Sequence, residues 1–469
     1  MSFLETNKDK KSGLLYYKYV CYFLLLDNLF LSRYNTNRCS ITKGGNRVEK
    51  RQYLCIDQRS FYATVECVAR GLDPLEADLV VADAERSENT ICLAVSVHLK
   101  SRGVKNRCRL KDIPPHIKCI VAVPRMQLYI DCAAAIYGVF LKYLAPEDIY
   151  VYSIDESFLD VTPYLKMYGS TAKELAQRII QDVREIVGTI CTCGIGTNLY
   201  LAKIALDIIA KKAPDSIGIL DEQSYRERLW DHQPITDFWR ISHGTAKRLR
   251  DHGMTTLRHV AMMQEDYLYK WFGIDAELLI DHAWGREPTT IADIKNYKSK
   301  SKSLSSSQVL MRDYNSREGE VIVKEMMDQL CLDMAAKKLV TDSISLYVGY
   351  SHTQGVPGVG GTAQFSGPVN TAPEIVPAIA TLYRRIVNPS YAIRRIGLTC
   401  NSVTEDLGAL QLNMFEDTSK QLRHKALQEA MLGIRAKYGK NAILKGMNFD
   451  QAATGRERNN QIGGHKSNG

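Results

Sequence analysis

The chain lacks any cysteine pattern that would mark a disulfide framework or a zinc site. Its twelve cysteines are scattered and none forms a CxxC pair. The closest two, Cys191 and Cys193, would lie on one face of an alternating strand. The ten histidines show no ligand spacing either. A chain of 469 residues can bury a core without disulfides, so we expect reduced, buried thiols and a cytoplasmic protein.

No apolar run is long enough to cross a bilayer. The most apolar stretch, 14–31, is interrupted by Lys18 and Asp27, and its clean part, 19–26, is too short to span a membrane. No small-residue cleavage site follows, so neither export nor a membrane partner is expected.

Residues 1–49 are therefore treated as an N-terminal extension whose status stays open. They belong to the working protein or come from an over-extended translation start. No Met lies between Met1 and Met126, so a later start would need a non-Met codon, for instance at Val48.

A large charge of one sign is also missing. The 61 basic and 52 acidic residues give a net charge of +9, which favours polyanionic partners without proving one. With 45% hydrophobic residues the composition is that of an ordinary globular protein, and the length allows several domains.

Two adjacent carboxylates stand between short alternating apolar runs, in Tyr152-Ser-Ile-Asp155-Glu156-Ser-Phe-Leu-Asp160. The pattern predicts a β-hairpin with the acids at its tip, and both acids can serve one site only if the chain bends there. Like charges this close raise each other's pKa unless a cation lies between them. A divalent metal is the natural cation. A second apolar strand ends in Asp57 and passes directly into a helix.

The order of elements from Arg51 onward predicts a ferredoxin-like βαββαβ pattern, with the segment from about 71 to 124 set aside as an insertion. The predicted elements are a strand at 52–57, helices at 60–69 and 126–144, a hairpin at 149–154 and 157–161, a helix at 171–187 opened by a capping box, a strand at 190–195 and a helix at 199–211. This order would bring Asp57 to Asp155 and Glu156 across the sheet.

Three carboxylates at one edge of a sheet can hold two Mg²⁺ ions roughly 3.5–4 Å apart, with Mn²⁺ as a substitute, in a clamp suited to in-line phosphoryl transfer. The alternative is that an Asp at a strand end forms a turn or caps a helix. For Asp57 alone that alternative is the more common role, whereas the set of three favours the metal site.

Two segments resemble the signature motifs of the Y-family (translesion) DNA polymerases, closest to the UmuC-like bacterial branch. They are Ile56-Asp57-Gln-Arg-Ser-Phe61-Tyr62-Ala63-Thr-Val-Glu66 and Tyr152-Ser-Ile-Asp155-Glu156-Ser-Phe. The resemblance implies an α+β multidomain fold with a ferredoxin-like palm, small fingers, a helical helix-hairpin-helix thumb and a separate α+β little finger. It also implies catalytic metals on Asp57, Asp155 and Glu156, with the carbonyl of Gln58 touching a metal.

The first motif also carries the nucleotide site that the resemblance implies. Tyr62 matches the steric gate, an aromatic ring that fills the space of a 2′-hydroxyl, and Ser60 and Phe61 stand beside it. The alternative for Tyr62 is core packing at a helix start.

Basic residues on the triphosphate are implied at Lys100 and at Lys211 or Lys212. Val97 stands where the family has a Tyr, which is a departure from the pattern of this segment. The alternative for each lysine is a solvated surface position.

Beyond the palm, the segment from Asp237 to Met254 resembles the family's helix-hairpin-helix, with Gly253 as a helix stop and Ser242 where a Gly is common. A Lys- and Ser-rich linker and a second α+β region, which resembles the little finger, follow. The DNA-binding residues implied are Lys247, Arg248, Arg250, Arg384, Arg385, Arg394 and Arg395.

The segment Gln411-Leu412-Asn-Met414-Phe415 resembles a clamp-binding peptide, in which the apolar side chains enter pockets on a sliding clamp. The implied contacts are Gln411, Leu412, Met414 and Phe415. The alternative is that the segment opens the helix predicted at 418–437. The last twenty residues are rich in Gly, Asn and Arg, and we expect them to be mobile.

The predicted domains are an extension at 1–49, a palm at 50–60 and 125–232, fingers at 61–124, a thumb at 233–295, a basic linker at 296–307, a little finger at 308–405 and a tail at 406–469. The resemblance implies a monomeric DNA-templated DNA polymerase for damage tolerance, with primed template DNA, dNTPs and a sliding clamp as partners. Accessory subunits are compatible with it. Two alternatives stay open, a nucleotidyl cyclase and a non-catalytic DNA- and clamp-binding scaffold, and primer extension would separate the three.

Overall fold

The structure, a computed structural model, describes residues 51–298, 303–407 and 418–468. The chain divides into two compact units. Of the described residues, the first unit comprises those from 51 to 298 together with 465–468, and the second comprises those between 303 and 464.

The first unit is built on a five-stranded sheet with β1 at its centre. Its strands are β1 Tyr53–Gln58, β5 Ile149–Val151, β6 Glu156–Asp160, β7 Cys191–Gly196 and β8 Ile217–Leu220. In spatial order they are β5, β6, β1, β7 and β8, with β7 and β8 parallel and the other neighbours antiparallel. The first four of these strands have the ferredoxin-like order, so this prediction is confirmed.

Helices cover this sheet and connect its strands. They are α1 Phe61–Ala69, α3 Met126–Phe140, α4 Thr162–Tyr168, α5 Ala172–Val187 and α6 Leu199–Ile204. The predicted capping box of α5 is present, because Thr171 accepts from the backbone of Glu174 and the Glu174 side chain accepts in return.

The predicted helix at 199–211 is wrong in one respect. After α6 the chain forms a π-helical turn at Ala205–Ile209 and a 3₁₀ turn at Ala210–Lys212. A π-turn holds one residue more than an α-turn, so it shifts the side chains that follow around the helix axis.

Two glycines bring α6 unusually close to the sheet. A Cβ at Gly194 or at Gly196 would overlap the backbone of Ala202 in α6. The strand therefore needs glycine at these positions, and the close approach carries Lys203 to the end of β1.

The segment between α1 and α3 forms a small separate sheet in which β2 Leu79–Val81 lies between β3 Ala94–Val95 and β4 Ile120–Ala122. The helix α2 Val97–Ser101 follows β3, and a 3₁₀ turn lies at Leu110–Asp112.

From the end of β8 to residue 298 the first unit is helical. The helices are α7 Glu222–Leu229, α8 His243–Asp251, α9 Leu257–Met262, α10 Glu265–Phe272, α11 Asp275–Ala283 and α12 Ile291–Asn296. Gly253 has a φ of 78° just after α8, as expected of a helix stop. The core of this region contains a buried pair, in which Nε2 of His282 lies 3.0 Å from Oε2 of Glu287.

The second unit is a four-stranded antiparallel sheet with helices against it. The spatial order is β11, β10, β12, β9, and β13 also pairs with β10. The bounds are β9 Leu304–Tyr314, α13 Ser316–Ala336, β10 Leu339–Tyr350, β11 Val359–Val369, α14 Ala372–Ile386, β12 Ile393–Asn401 and β13 Thr404–Glu405. The first strand begins inside the predicted linker, because Ser305–Ser307 join the ladder of β12 through their backbone.

The C-terminal segment packs on α13, and residues 450–468, which were predicted to be mobile, form short elements with defined contacts. It contains α15 Thr418–Tyr438, a 3₁₀ turn at Gly446–Phe449, α16 Gly455–Asn459 and a short strand, β14 Gln461–Ile462. Its main attachment is Glu325, which is 4% exposed and accepts from the backbone N–H groups of Thr454 (2.7 Å) and Gly455 (3.0 Å). A last pair of strand residues, His465–Lys466, belongs to the first unit.

Among the described residues, no helix combines the length and the apolar character needed to span a membrane.

Candidate active site

The structure brings the three predicted acids together at one end of the first sheet. Asp57 on β1 pairs in register with Glu156, the first residue of β6. The backbone N–H of Gln58 donates to the carbonyl of Asp155 at 2.9 Å. Neighbours on antiparallel strands at a register pair project to the same face, so Asp57 and Glu156 share one side of the sheet.

The chain bends just before β6, as the hairpin pattern requires. Asp155 lies in this bend and is partly exposed, whereas Glu156 is 8% exposed. The Ser153 hydroxyl donates to Oδ1 of Asp155 at 2.6 Å, which fixes this carboxylate relative to the turn. The bend thus lets two consecutive acids serve one region.

Burial raises the pKa of two of these acids, Asp57 and Glu156, and repulsion by its neighbours adds to the rise at Asp57. The pKa of Asp57 is raised to about 7 by burial and by the charges of Asp155 and Glu156. Burial also raises the pKa of Glu156, although Lys203 counteracts the rise. Such shifts mean that a negative charge at Asp57 is unfavourable until a positive charge comes close.

Lys203 is a member of this site that the sequence interpretation missed. Its Nζ lies 2.7 Å from Oε2 of Glu156 and 3.0 Å from Oδ2 of Asp207, and Asp207 in turn binds Lys211 at 2.7 Å. Burial alone would lower the pKa of Lys203, but Glu156 and its other anionic neighbours raise it above its usual value. The spacing of four residues between Lys203, Asp207 and Lys211 was the available signal.

The donor set fits a hard divalent cation. All three acids offer oxygen, and the pKa of Asp57 is raised by burial and by repulsion from Asp155 and Glu156, both of which a nearby cation would offset. Within the described ranges, no three His, Cys, Asp or Glu side chains already form a metal-binding group. The Glu156 carboxylate is engaged by Lys203 and by the thiol of Cys55, whose sulfur lies 3.2 Å from Oε1.

Gln58 can offer a metal only its backbone carbonyl. Its side-chain Oε1 accepts from the Thr189 hydroxyl at 2.8 Å and from the Cys191 thiol at 3.3 Å, and the residue is 3% exposed.

The start of α1 lies next to the acids. Ser60 precedes the helix with a left-handed φ of 51°, and its hydroxyl accepts from Nζ of Lys100 at 2.8 Å. The pKa of Lys100 is lowered by burial, against the charge of Asp57. Phe61 is 3% exposed and packs inward, so of the residues predicted at this helix start it is the one that the core covers.

Tyr62 is partly exposed beside the acids. Its pKa is raised to about 12 by burial and by the charge of Asp155. The ring stacks on that of Tyr129 from α3, with centroids 4.5 Å apart and planes inclined by 19°.

Comparison with known proteins decides the family. The impB/mucB/samB family model matches residues 56–207, and the model of that family's C-terminal domain matches residues 301–414. UvrX of Bacillus subtilis (strain 168), whose description is that of a UV-damage repair protein, is 31% identical over 424 residues, which cover 89% of this chain and 98% of UvrX. The chain belongs to the Y-family of translesion DNA polymerases.

Further relatives agree. DNA polymerase IV 2 of the same organism is 27% identical over 425 residues, covering 89% of this chain and 99% of the relative. A solved Y-family DNA polymerase chimera of Dbh and Dpo4 has the same fold, with a TM-score of 0.59 and 20% identity over 76% of this chain and 99% of that chain. This Y-family protein is thus a DNA-directed DNA polymerase, whose substrates are template DNA and dNTPs, and the predicted family and fold class are confirmed. Enzymes of this family depend on metal ions.

In this Y-family polymerase, the predicted basic residues of the helical region lie on α8. Lys247, Arg248 and Arg250 are all exposed. Arg248 donates to the backbone carbonyl of Trp271 and lies over the Phe272 ring at 4.5 Å. Part of its hydrogen-bonding capacity is therefore used by contacts inside the protein.

The predicted basic residues of the second unit differ in their partners. Arg384 binds Glu320 with 2.6 Å between Nη2 and Oε1, and Arg394 lies 3.6 Å from Asp313. Arg385 and Arg395 are exposed. The predicted clamp-binding residues Gln411, Leu412, Met414 and Phe415 lie outside the described residues.

Proposed function

We propose that this polymerase adds dNTPs to a primer 3′-hydroxyl by two-metal phosphoryl transfer at Asp57, Asp155 and Glu156. The observation that carries the proposal is the register of β1 and β6, which pairs Asp57 with Glu156 and leaves Asp155 beside both. Two Mg²⁺ ions, or Mn²⁺ in their place, would lower the pKa of the attacking hydroxyl and neutralise the leaving pyrophosphate. Family membership sets aside the nucleotidyl cyclase and the non-catalytic scaffold.

The three acids would contribute differently. Asp57 has a pKa of about 7, so it loses its proton most readily when a cation is close. Asp155 is partly exposed, so its carboxylate can bind a metal ion that approaches from the solvent side. Glu156 is already paired with Lys203. To bind a metal ion it would either leave Lys203 or keep one carboxylate oxygen on Lys203 and offer the other to the metal.

The nucleotide would lie between the acids and α1. Tyr62 acts as the steric gate under the sugar. Its position beside Asp155 and its partial exposure support this assignment. Ser60 lines the same pocket, Phe61 supports it from the core, and Lys100 and Lys211 neutralise the triphosphate. Because Lys100 is held by Ser60 and Lys211 by Asp207, each lysine is directed before the nucleotide arrives.

The proposed domains are a palm at 50–60 and 125–232, fingers at 61–124, a thumb at 233–295 and a little finger at 308–405, although the first strand of the second unit already begins at Leu304. The division of the chain near Ser299 supports the predicted linker at 296–307. The thumb residues Lys247, Arg248 and Arg250, and the little-finger residues Arg384, Arg385, Arg394 and Arg395, would contact DNA phosphates.

A sliding clamp would bind Gln411, Leu412, Met414 and Phe415 in the tail at 406–469. The support is the motif itself and its position after the little finger. We further propose a cytoplasmic protein, because the ten cysteines in the described ranges are free thiols. A monomer is proposed from the family resemblance.

Primer extension on a primed template, with dNTPs and Mg²⁺, tests the catalytic proposal. Asp155→Ala should abolish extension while DNA binding is retained. The matched control is Asp160→Asn, since Asp160 lies at the far end of β6, the strand that follows Asp155, where it faces Arg51 at 3.6 Å and accepts from the Thr162 backbone at 3.1 Å. This control should extend primers, and equal extension by Asp155→Ala and wild type would falsify the proposal.

A further inference from the structure

The Tyr62 ring is supported from behind by a buried residue. Tyr129 is 0% exposed and stacks on Tyr62 with 4.5 Å between the ring centroids. Offset stacking of this kind is attractive, and it also blocks the motion of one ring toward the other. The Tyr62 ring can therefore shift toward Tyr129 only if Tyr129 moves as well.

Tyr129 is fixed in turn by a buried carboxylate. Its hydroxyl donates to Oε1 of Glu66 at 2.7 Å. Arg125 donates to both oxygens of Glu66, at 3.0 Å from Nε and 2.7 Å from Nη2, and Arg70 donates as well. Glu66 is 0% exposed and lies one turn after Tyr62 on α1, whereas Tyr129 and Arg125 belong to the start of α3.

We propose that Glu66, Arg70, Arg125 and Tyr129 form a brace that holds the Tyr62 ring rigid and so sets how strongly the polymerase rejects ribonucleotides. This inference rests on the proposed role of Tyr62 as the steric gate. In it, Tyr129 and Glu66 are positioning residues that act through Tyr62.

Rigidity matters because the difference between the two sugars is one hydroxyl group. A wall that yields by a few tenths of an ångström accommodates much of the added oxygen, so a discriminating side chain must be held within about 0.5 Å. A buried carboxylate between two guanidinium groups has a single favourable position, since moving it would leave buried charge unpaired. The hydrogen bond to Glu66 restrains the Tyr129 hydroxyl, and the stacked Tyr129 ring in turn restrains Tyr62.

Steady-state kinetics with dNTPs and the matching rNTPs tests the brace. Tyr129→Leu keeps an apolar side chain but removes the stacked ring, and the ratio of kcat/KM for dNTP over rNTP should fall about tenfold. Tyr129→Phe keeps the ring and removes the bond to Glu66, so we expect a fall of about threefold. In both variants the change should lie mainly in a higher rNTP efficiency, which a general loss of folding would not produce.

A double-mutant cycle with Tyr62→Ala separates the brace from other effects of Tyr129. If Tyr129 acts through Tyr62, then Tyr129→Leu should not lower the ratio further once Tyr62 is Ala. Glu66→Gln, which is isosteric, should resemble Tyr129→Phe.

The matched control is Tyr225→Phe. Tyr225 is also fully buried and its hydroxyl also donates, to the His282 carbonyl at 2.9 Å, but it lies among the helices that follow β8. Its variant should lose stability to a similar degree and keep the sugar ratio of the wild type.

The outcomes are distinct. A lowered ratio in the Tyr129 variants, absent in the Tyr62→Ala background, supports the brace. If Tyr62→Ala lowers the ratio and the Tyr129 variants do not, the brace is refuted and the gate stands. If even Tyr62→Ala leaves the ratio unchanged, the gate fails and the brace fails with it.

Discussion

The ammonium group of Lys203 lies 2.7 Å from Oε2 of Glu156, and both side chains are about nine-tenths buried, with 10% and 9% exposed. A cation supplied by the protein therefore already neutralises one of the three acids. Removing one member of such a buried pair leaves an uncompensated charge in a dry environment.

We expect Lys203→Met to lower the free energy of unfolding by about 3–5 kcal/mol. Because the variant has lost its internal cation, Mg²⁺ should raise its Tm by more than it raises the Tm of the wild type. Thermal unfolding with Mg²⁺ and with EDTA measures both effects.

The control for this prediction is Lys173→Met. Lys173 pairs with Asp215 at 2.8 Å, but the two side chains are 45% and 42% exposed, so the loss should stay within about 1 kcal/mol. Equal destabilisation by the two variants would contradict the prediction.

The second prediction concerns DNA binding by the second unit. Arg395 is exposed, whereas Arg384 is bound to Glu320 at 2.6 Å and would have to give up that pair to reach a phosphate. Arg395→Ala should therefore weaken DNA binding more than Arg384→Ala does. It should also reduce the slope of log affinity against log salt concentration by about one. Titration of labelled primed DNA at several salt concentrations gives both quantities, and the reverse order of the two variants would be evidence against phosphate contact at Arg395.

The third prediction separates the two interpretations of the segment at 411–415. If it binds a sliding clamp, Leu412→Ala and Phe415→Ala should each weaken clamp binding, since each buried side chain contributes about 1.5–3 kcal/mol before ordering costs. Leu422→Ala, at a 54% exposed residue of α15, is the control and should bind normally. Pull-down with the purified clamp measures this, and loss of binding only in the control would instead favour the helix interpretation.

The fourth prediction concerns acid stability. Burial alone would raise the pKa of Glu287, but hydrogen bonds and charge from His282, with further bonds from Thr289, hold it below its usual value. A carboxyl with a lowered folded-state pKa stabilises fully above the unfolded value of about 4.3 and loses this contribution as the pH falls further.

Glu287→Gln should therefore flatten the loss of stability below about pH 4.3, compared with the wild type. Denaturant unfolding from pH 6 to pH 3 measures the difference. Glu265→Gln, at an exposed position on α10, should follow the wild-type curve. If the free energy of unfolding of Glu287→Gln falls with pH as steeply as that of the wild type, the pair of Glu287 with His282 does not stabilise the fold.

The pairing of Asp57 with Glu156 was predictable because each strand is marked by its own alternating apolar residues. The βαββαβ order of elements then indicates that these two strands are neighbours in the sheet. The capping box at Thr171 was also predictable, since its two partners are three residues apart.

Lys203 and Glu66 were not found because their roles depend on contacts between distant segments. Lys203 reaches Glu156 only because Gly194 and Gly196 let α6 approach β7, and nothing near Lys203 in the chain reports that approach. Glu66 reads as an ordinary helical acid until Arg125, 59 residues later, is packed against it. The π-turn after α6 likewise follows from how the helix fits the sheet.

Glu325 determines how the C-terminal region can be studied. It caps the first turn of α16 from another helix, accepting from Thr454 and Gly455, and it is almost fully covered in doing so. Deleting the residues after 440 would remove the two backbone donors of this carboxylate and the segment that covers it, and the chain would lose stability for reasons unrelated to any clamp. Shortened versions of this polymerase would thus confuse folding with partner binding, whereas single substitutions within 411–415 keep the two effects apart.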